Sequence, residues 1–321
     1  MPGQLHLGEL RSLKCRRASG RGSPRGVIMA ITRIAVTGAA GHLGSHLIPL
    51  LLDDGYDVVG IDMIDEPEKI GYRYVQMNLA DDDGFDAFKD VELIVHVASL
   101  HPWKTYSDET YIDANIKGTW RLYNAASRFG IRKIVMTSSI AAVGYHSVPT
   151  DFWPVTEEKE SPLGDLYSLT KNTQEQIARH FGHLGATQTL AIRPPAFMPK
   201  PMLETGFLLT GAFCIVDDIA SAHLRAIQTA LSEKSSELDS FEAFFTVNNV
   251  PYTRDDAVLL EAGRNVKRLV QKYWPSEYAW LEKNGYSGTA IPALYDMGKA
   301  ASVLGWTPLY NFEQWATDHI T

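Results

Sequence analysis

The chain has 321 residues, 45% of them hydrophobic and 21% charged, the composition of an ordinary globular protein. A formal net charge of −8 argues against a nucleic-acid surface. No run of about twenty apolar residues is present to span a bilayer. Two cysteines, Cys15 and Cys214, exclude a disulfide framework or a cysteine-based metal cluster and suit a reducing, cytoplasmic compartment.

The first thirty residues differ from the rest. Arg11, Lys14, Arg16, Arg17, Arg21 and Arg25 stand against one acid, Glu9, and no apolar signal core accompanies them. The expectation is a disordered extension over 1–30, with Met29 as an alternative start. An organelle transit peptide is the other reading.

From Ile31 onward short apolar runs alternate with amphipathic stretches. Ile34–Val36 predicts a first strand, ending in a glycine-rich turn, and Leu43–Leu52 a helix. Strands follow at Val58–Ile61, Tyr74–Met77 and Leu93–Val97. A long helix is predicted over Tyr111–Phe129, a fifth strand over Lys133–Thr137, a helix over Leu166–Leu184 and a sixth strand over Thr189–Ile192. Apolar strands between helices predict an α/β fold, a Rossmann-type doubly wound parallel sheet with its ligand crevice at the carboxyl ends of the strands. Four prolines between Pro194 and Pro201 then exclude helix. Asp217–Leu231 reads as helix and Phe244–Val247 as a late strand. The expected organisation is a dinucleotide-binding domain over 31–193, to which 215–250 returns. Residues 194–214 and 251–321 would form a smaller substrate-binding lobe.

Gly38, Gly41 and Gly44 fall between the first strand and the first helix. Glycine allows the tight turn and the close backbone approach that a pyrophosphate needs, and the helix start offers N–H groups to the anion. Asp62, ending the second strand, suits the ribose hydroxyls and repels a 2′-phosphate, which favours NAD over NADP. Asp65 is a rival for that role. Asn78 is placed to reach the adenine, or else serves as a turn residue.

Tyr167 and Lys171 lie four apart on a predicted helix and so share one face. A neighbouring ammonium favours phenolate, which makes the tyrosine a usable general acid/base. Ser139 follows the fifth strand and can hold an oxygen on which charge develops. Glu157 and Glu158 read as a solvated acidic pair.

Taken together, these motifs resemble the extended short-chain dehydrogenase/reductases, the NAD-dependent epimerase/dehydratase family. The likeness rests on Gly38, Gly41 and Gly44, on His96-Val97-Ala98, on Asn115-Ile116-Lys117-Gly118-Thr119 and on Ser138-Ser139. It continues through Tyr167 to Lys171, Arg193-Pro194, Val216-Asp217-Asp218 and Leu304-Gly305-Trp306-Thr307-Pro308. The resemblance implies catalysis by Ser139, Tyr167 and Lys171. It implies an NAD site of Gly38, Gly41, His42, Leu43, Gly44, Asp62, Asn78, Leu79, Val97, Ala98, Ser99, Asn115, Lys171, Arg193 and Pro194, with no metal. It also implies a homodimer through the two long helices.

Two departures bear on the substrate. Epimerases continue the serine motif with Val-Tyr-Gly, where this chain has Ala142-Val143-Gly144. Only Pro194–Ile215 separates the Arg-Pro pair from the Val-Asp-Asp turn, little chain for holding a nucleotide diphosphate. The short linker resembles uronate dehydrogenases, although their Asn-His after the serine is Ile140-Ala141 here. His101, Trp103, Ile140, His146 and Arg193 are the candidate substrate contacts, with Arg193 more readily a buried structural residue. The leading expectation is hydride transfer at a secondary alcohol or ketone of a small sugar-like substrate, such as a sugar or sugar acid. The alternatives are a nucleotide-sugar epimerase or dehydratase that keeps its NAD, and a non-catalytic NAD-sensing protein. No nucleic acid or membrane is expected as a partner.

Overall fold

The computed structural model describes residues 32–68, 70–102, 104–144, 148–159 and 161–320. The N-terminal extension, Trp103 and His146 lie outside these residues. Residues 31–321 form one compact unit.

Among the described residues, seven strands make one parallel sheet in the order β3-β2-β1-β4-β5-β6-β7. They are β1 (Arg33–Thr37), β2 (Asp57–Asp62), β3 (Arg73–Gln76), β4 (Leu93–His96), β5 (Lys133–Thr137), β6 (Gln188–Arg193) and β7 (Phe241–Phe245). The order reverses at β1, between β2 and β4, the switch point at which such sheets open a crevice. Alternate strand residues serve opposite faces. Ile34, Val36, Val58, Val95, Val135, Leu190 and Phe244 join one apolar cluster, with Leu47 and Leu51 of α1 (His42–Asp53) and Ile219 and Ile227 of α6 (Val216–Ala230). Ala35, Val59, Ile94, Ile134 and Ala191 join the other, with Leu122 of α3 (Gly118–Phe129) and Ile177 of α4 (Leu166–His183).

The predicted helix over Tyr111–Phe129 is three joined pieces: α2 (Asp108–Tyr111), a π-helical stretch (Ile112–Lys117) and α3. Ser107 starts it by accepting the Thr110 N–H, and Gly130, at φ 72°, ends it in the left-handed conformation. The late strand begins at Phe241 rather than Phe244, because Phe241 and Ala243 also supply core side chains.

A third apolar cluster belongs to the C-terminal part. It gathers Leu209 of α5 (Met202–Leu209), Leu269 and Val270 of α7 (Lys267–Tyr273), Leu281 of α8 (Pro275–Lys283), and Phe312 and Trp315 of α9 (Phe312–His319). Ile140, Val143 and Val155 pack into it from the chain after β5, while Ala300, Leu304 and Trp306 pack on the sheet side. Asp218 ties these parts together by accepting the Leu309 and Tyr310 N–H groups at 2.9 and 3.1 Å. Among the described residues, no helix is long and apolar enough to cross a membrane.

Candidate active site

The glycine loop follows β1 at the switch point. Gly38 sits at φ +72°, and a Cβ there would meet Ala98 N at 2.8 Å. A Cβ on Gly44 would lie 2.3 Å from the Gly38 carbonyl, so the helix packs onto the loop only with glycine. Gly41 differs. A Cβ there would meet only the Gly38 oxygen, at 3.2 Å, so that side of the loop is otherwise open. Gly41 is also the N-cap of α1 and supplies no side-chain cap. The first N–H groups of the helix are therefore not capped from within it.

Two buried polar atoms beside this loop have no hydrogen-bond partner: Nε2 of His42, and Oγ of Ser99 after β4. An open glycine loop flanked by orphaned polar atoms fits a dinucleotide. Asp62 Oδ2 accepts the Ala40 N–H at 3.0 Å, which fixes its carboxylate against the loop. Asp65 accepts instead from the Gln76 side chain at 3.1 Å.

Several expected cofactor contacts are engaged elsewhere. Asn78 lies two residues beyond β3, where its amide donates to Asp81 at 2.8 Å and its side-chain oxygen accepts the Ala80 N–H at 3.0 Å, the turn role. Leu43 and Leu79 turn their side chains into the two sheet-face cores, which leaves only backbone for a ligand. Asn115 accepts the Leu100 N–H at 2.7 Å and donates to the Leu100 carbonyl at 3.1 Å, bracing the loop that carries Val97, Ala98, Ser99 and His101.

His96 links that loop to α3. Thr119 Oγ1 donates to the Asn115 carbonyl at 2.7 Å, so its contact with His96 Nε2 at 2.9 Å is donated by the imidazole. His96 Nδ1 then accepts from Thr37 Oγ1 at 2.9 Å. Burial, and then the nearby Lys171, lower this histidine to about 3, so the ring stays neutral.

The crevice wall comes from β5 and α4. Asp165 caps α4 by accepting the Ser168 N–H at 2.7 Å. Tyr167, Lys171 and Glu175 then line one helix face. Lys171 is fully buried, donates to the Thr137 carbonyl at 3.0 Å and has Nζ 5.9 Å from the centre of the Tyr167 ring. Burial lowers its pKa from 10.5 to about 7, against the opposing pull of Glu175. Ser139 Oγ accepts the Ala141 N–H at 3.1 Å, which leaves its own proton to donate. The Ile140 N–H donates to the Pro194 carbonyl at 3.1 Å, joining the serine turn to the chain after β6. The Ile140 side chain packs into the C-terminal cluster.

Arg193 is not placed to bind a cofactor or a substrate carboxylate with its side chain. Its Nε and Nη2 close on the Glu175 carboxylate at 2.9 and 2.7 Å, and Nη1 donates to the Glu157 carbonyl at 2.8 Å. Glu157 is likewise not the solvated acid expected. It is buried and accepts the Phe245 N–H at 2.9 Å, and burial raises its pKa; Glu158 is exposed as predicted. Glu175 went unnoticed in the sequence, although one further step of four from Lys171 reaches it. It also accepts from Ser138 Oγ at 2.5 Å, so one carboxylate explains both the first serine of the Ser-Ser pair and the arginine of the Arg-Pro pair.

A chain of rings lines the crevice. His42 stacks on Phe197 at 6.4 Å, Phe197 meets the edge of His101 at 6.4 Å, and His101 lies 5.2 Å from the Tyr167 ring. Burial and Lys171 lower His101 to about 3, so it too is a neutral imidazole. Phe197 was missed because a lone aromatic in a proline-rich stretch carries no periodic signal.

The model of the family described as "NAD dependent epimerase/dehydratase family" matches residues 34–198. The UDP-glucose 4-epimerase of Bacillus subtilis is 32% identical over 167 residues, 46% of this chain and 47% of that protein. A 3 beta-hydroxysteroid dehydrogenase/Delta 5-->4-isomerase of vaccinia virus is 32% identical over 154 residues, 44% of each chain. The chain thus spans about half the length of the curated relatives it matches. The solved structure of a mutated uronate dehydrogenase shares the fold with a TM-score of 0.64 at 23% identity, over 90% of this chain and 85% of that one.

Proposed function

The chain belongs to the NAD-dependent epimerase/dehydratase family, and from that premise we propose that it is an NAD-dependent oxidoreductase acting at a secondary alcohol or ketone carbon of a small hydroxylated, sugar-like substrate. The observation that carries this reading is the fully buried Lys171, anchored on the Thr137 carbonyl beside the Tyr167 ring.

NAD would be held by the open face of the Gly38–Gly44 loop, by the first N–H groups of α1, by Asp62 on its ribose and by Ser99. When bound, NAD supplies the acceptor for the hydride that leaves the substrate carbon. Tyr167 takes the proton of the substrate hydroxyl, and Lys171 stabilises the phenolate that must be present to do so. Ser139 donates its hydroxyl proton to the same oxygen and holds it as charge develops. His42, Phe197 and His101 close the crevice over these groups and exclude water. The structural reading of Arg193 removes it from direct contact with ligand.

A nucleotide-sugar epimerase using the same residues is the alternative, and the B. subtilis relative favours it. The short stretch between β6 and α6 weighs toward a smaller substrate. A second copy packing on α3 and α4 completes the proposal, supported by Trp120 and Leu169, 44% and 47% exposed on those helices. A reducing, cytoplasmic compartment suits the free, buried Cys214.

The test mixes purified protein and excess NAD with sugars, sugar acids and nucleotide sugars and follows the absorbance of reduced nicotinamide. Steady accumulation with a free sugar or sugar acid is expected. Conversion of a nucleotide sugar to its epimer without accumulation would replace this reading with the alternative.

A further inference from the structure

A cavity of about 310 Å³ lies beyond the carboxyl end of β7, among the residues after that strand and those near Gly211 and Leu294. None of the residues assigned above to chemistry or to NAD lines it. Its buried floor is apolar, with Ala212, Ile291, Ala293 and Leu294. Two buried polar residues join that floor. Tyr252 donates its hydroxyl to the Thr210 carbonyl at 2.8 Å, and the Asn248 amide donates to the carbonyls of Leu209 and Gly211 at 2.5 and 3.4 Å, while Asn248 Oδ1 accepts no hydrogen bond. The exposed rim carries Asn249, Thr253 and Arg254. A phosphate or a ring of hydroxyls would lose its water on such a floor and find few partners, which is unfavourable.

Because β5, β6 and β7 are neighbours, the carboxyl ends of β5 and β7 are two strand spacings apart, about 10 Å. Ser139 follows the first and the cavity wall follows the second. That is within the length of one small molecule. A cavity of roughly 150 Å³ already holds a benzene ring, so this one has room for an aryl group.

We infer that the cavity binds the apolar end, an aryl or compact alkyl group, of a substrate whose hydroxyl-bearing end reaches Ser139 and Tyr167. The inference rests on the reading of the reaction given above and narrows its substrate class to hydroxyl compounds bearing an apolar substituent.

The test is ligand-observed saturation-transfer NMR on the full chain, with 1-phenyl-1,2-ethanediol and 1,2-propanediol as probes. Two variants fill the floor, Ala293→Phe and Ala212→Phe, each checked for an unchanged melting temperature and NAD affinity. Saturation of the phenyl protons by the wild-type chain, and binding about tenfold or more weaker in a folded filled variant, is the expected result. Equal saturation of the two diols, or phenyl binding undiminished in the folded variants, would overturn it. NAD binding is measured in parallel by calorimetry. Its absence would contradict the proposed reaction, whereas the phenyl signal judges the cavity separately.

Discussion

Arg193 and Glu175 form a bidentate pair at 2.7 and 2.9 Å with both side chains almost fully buried, and the pair joins β6 to α4 directly behind the crevice. Removing one partner leaves a charge without its counterion in a medium that solvates it poorly. Glu175→Gln should therefore lower the free energy of unfolding by about 3–5 kcal/mol, read from denaturant midpoints. Arg193→Lys should also destabilise, because an ammonium cannot make the forked contact. An unchanged midpoint in Glu175→Gln would show that the pair does not brace the site.

The three loop glycines should separate. Gly38→Ala and Gly44→Ala drive a Cβ into backbone, so both should lower the melting temperature and the NAD affinity together. Gly41→Ala meets one atom at 3.2 Å. It should keep its melting temperature yet bind NAD about tenfold more weakly, because the new methyl occupies the open side of the loop. Calorimetry and thermal denaturation on the three variants check this. Full NAD affinity in Gly41→Ala would move the pyrophosphate elsewhere.

Asp62→Ala should narrow the preference for NAD over NADP by about tenfold or more, since a 2′-phosphate no longer meets a carboxylate. Part of the loss will be structural, because the Ala40 and Met63 N–H groups also lose their acceptor. The ratio of the two affinities isolates the charge effect. An unchanged ratio would transfer the discrimination to another residue.

Lys171 makes stability depend on pH. Unfolded, its ammonium keeps its proton to about 10.5; buried, it lets go at about 7. Between those values the unfolded chain binds more protons, so stability without NAD should rise as pH increases from 7 toward 10. Lys171→Met should lack that rise. On the acid side, His96 and His223 titrate near 3 and 4 when folded, against 6.5 when unfolded, so stability should fall as pH drops below 6.5. Melting temperatures across this range check both limbs. A parallel pH profile in wild type and Lys171→Met would contradict the burial of a titrating ammonium.

The sheet and the glycine turn were legible because short continuous apolar runs and glycine placement are local signals. Tyr167 and Lys171 were legible for the same reason, being four apart on one helix. What stayed hidden were the partners of charged residues that lie far away along the chain. Glu157 looks like a surface acid until β7 brings the Phe245 N–H to it, and Arg193, read more readily as buried, gains its partner only when α4 supplies Glu175. Asn78 and Asn115 carry motif positions, but loop geometry decides what their amides reach. Ile140 follows Ser139, yet its side chain packs into a core built mainly from residues far down the chain.

The central claim is that Tyr167, set beside the buried Lys171, moves the substrate proton. The direct measurement compares wild type and Tyr167→Phe with NAD and whichever substrate of the panel turns over, following reduced nicotinamide under saturating conditions. Turnover in the variant should fall by about 10²–10⁴-fold while NAD affinity is unchanged. Turnover retained within a few-fold of wild type would contradict the mechanism.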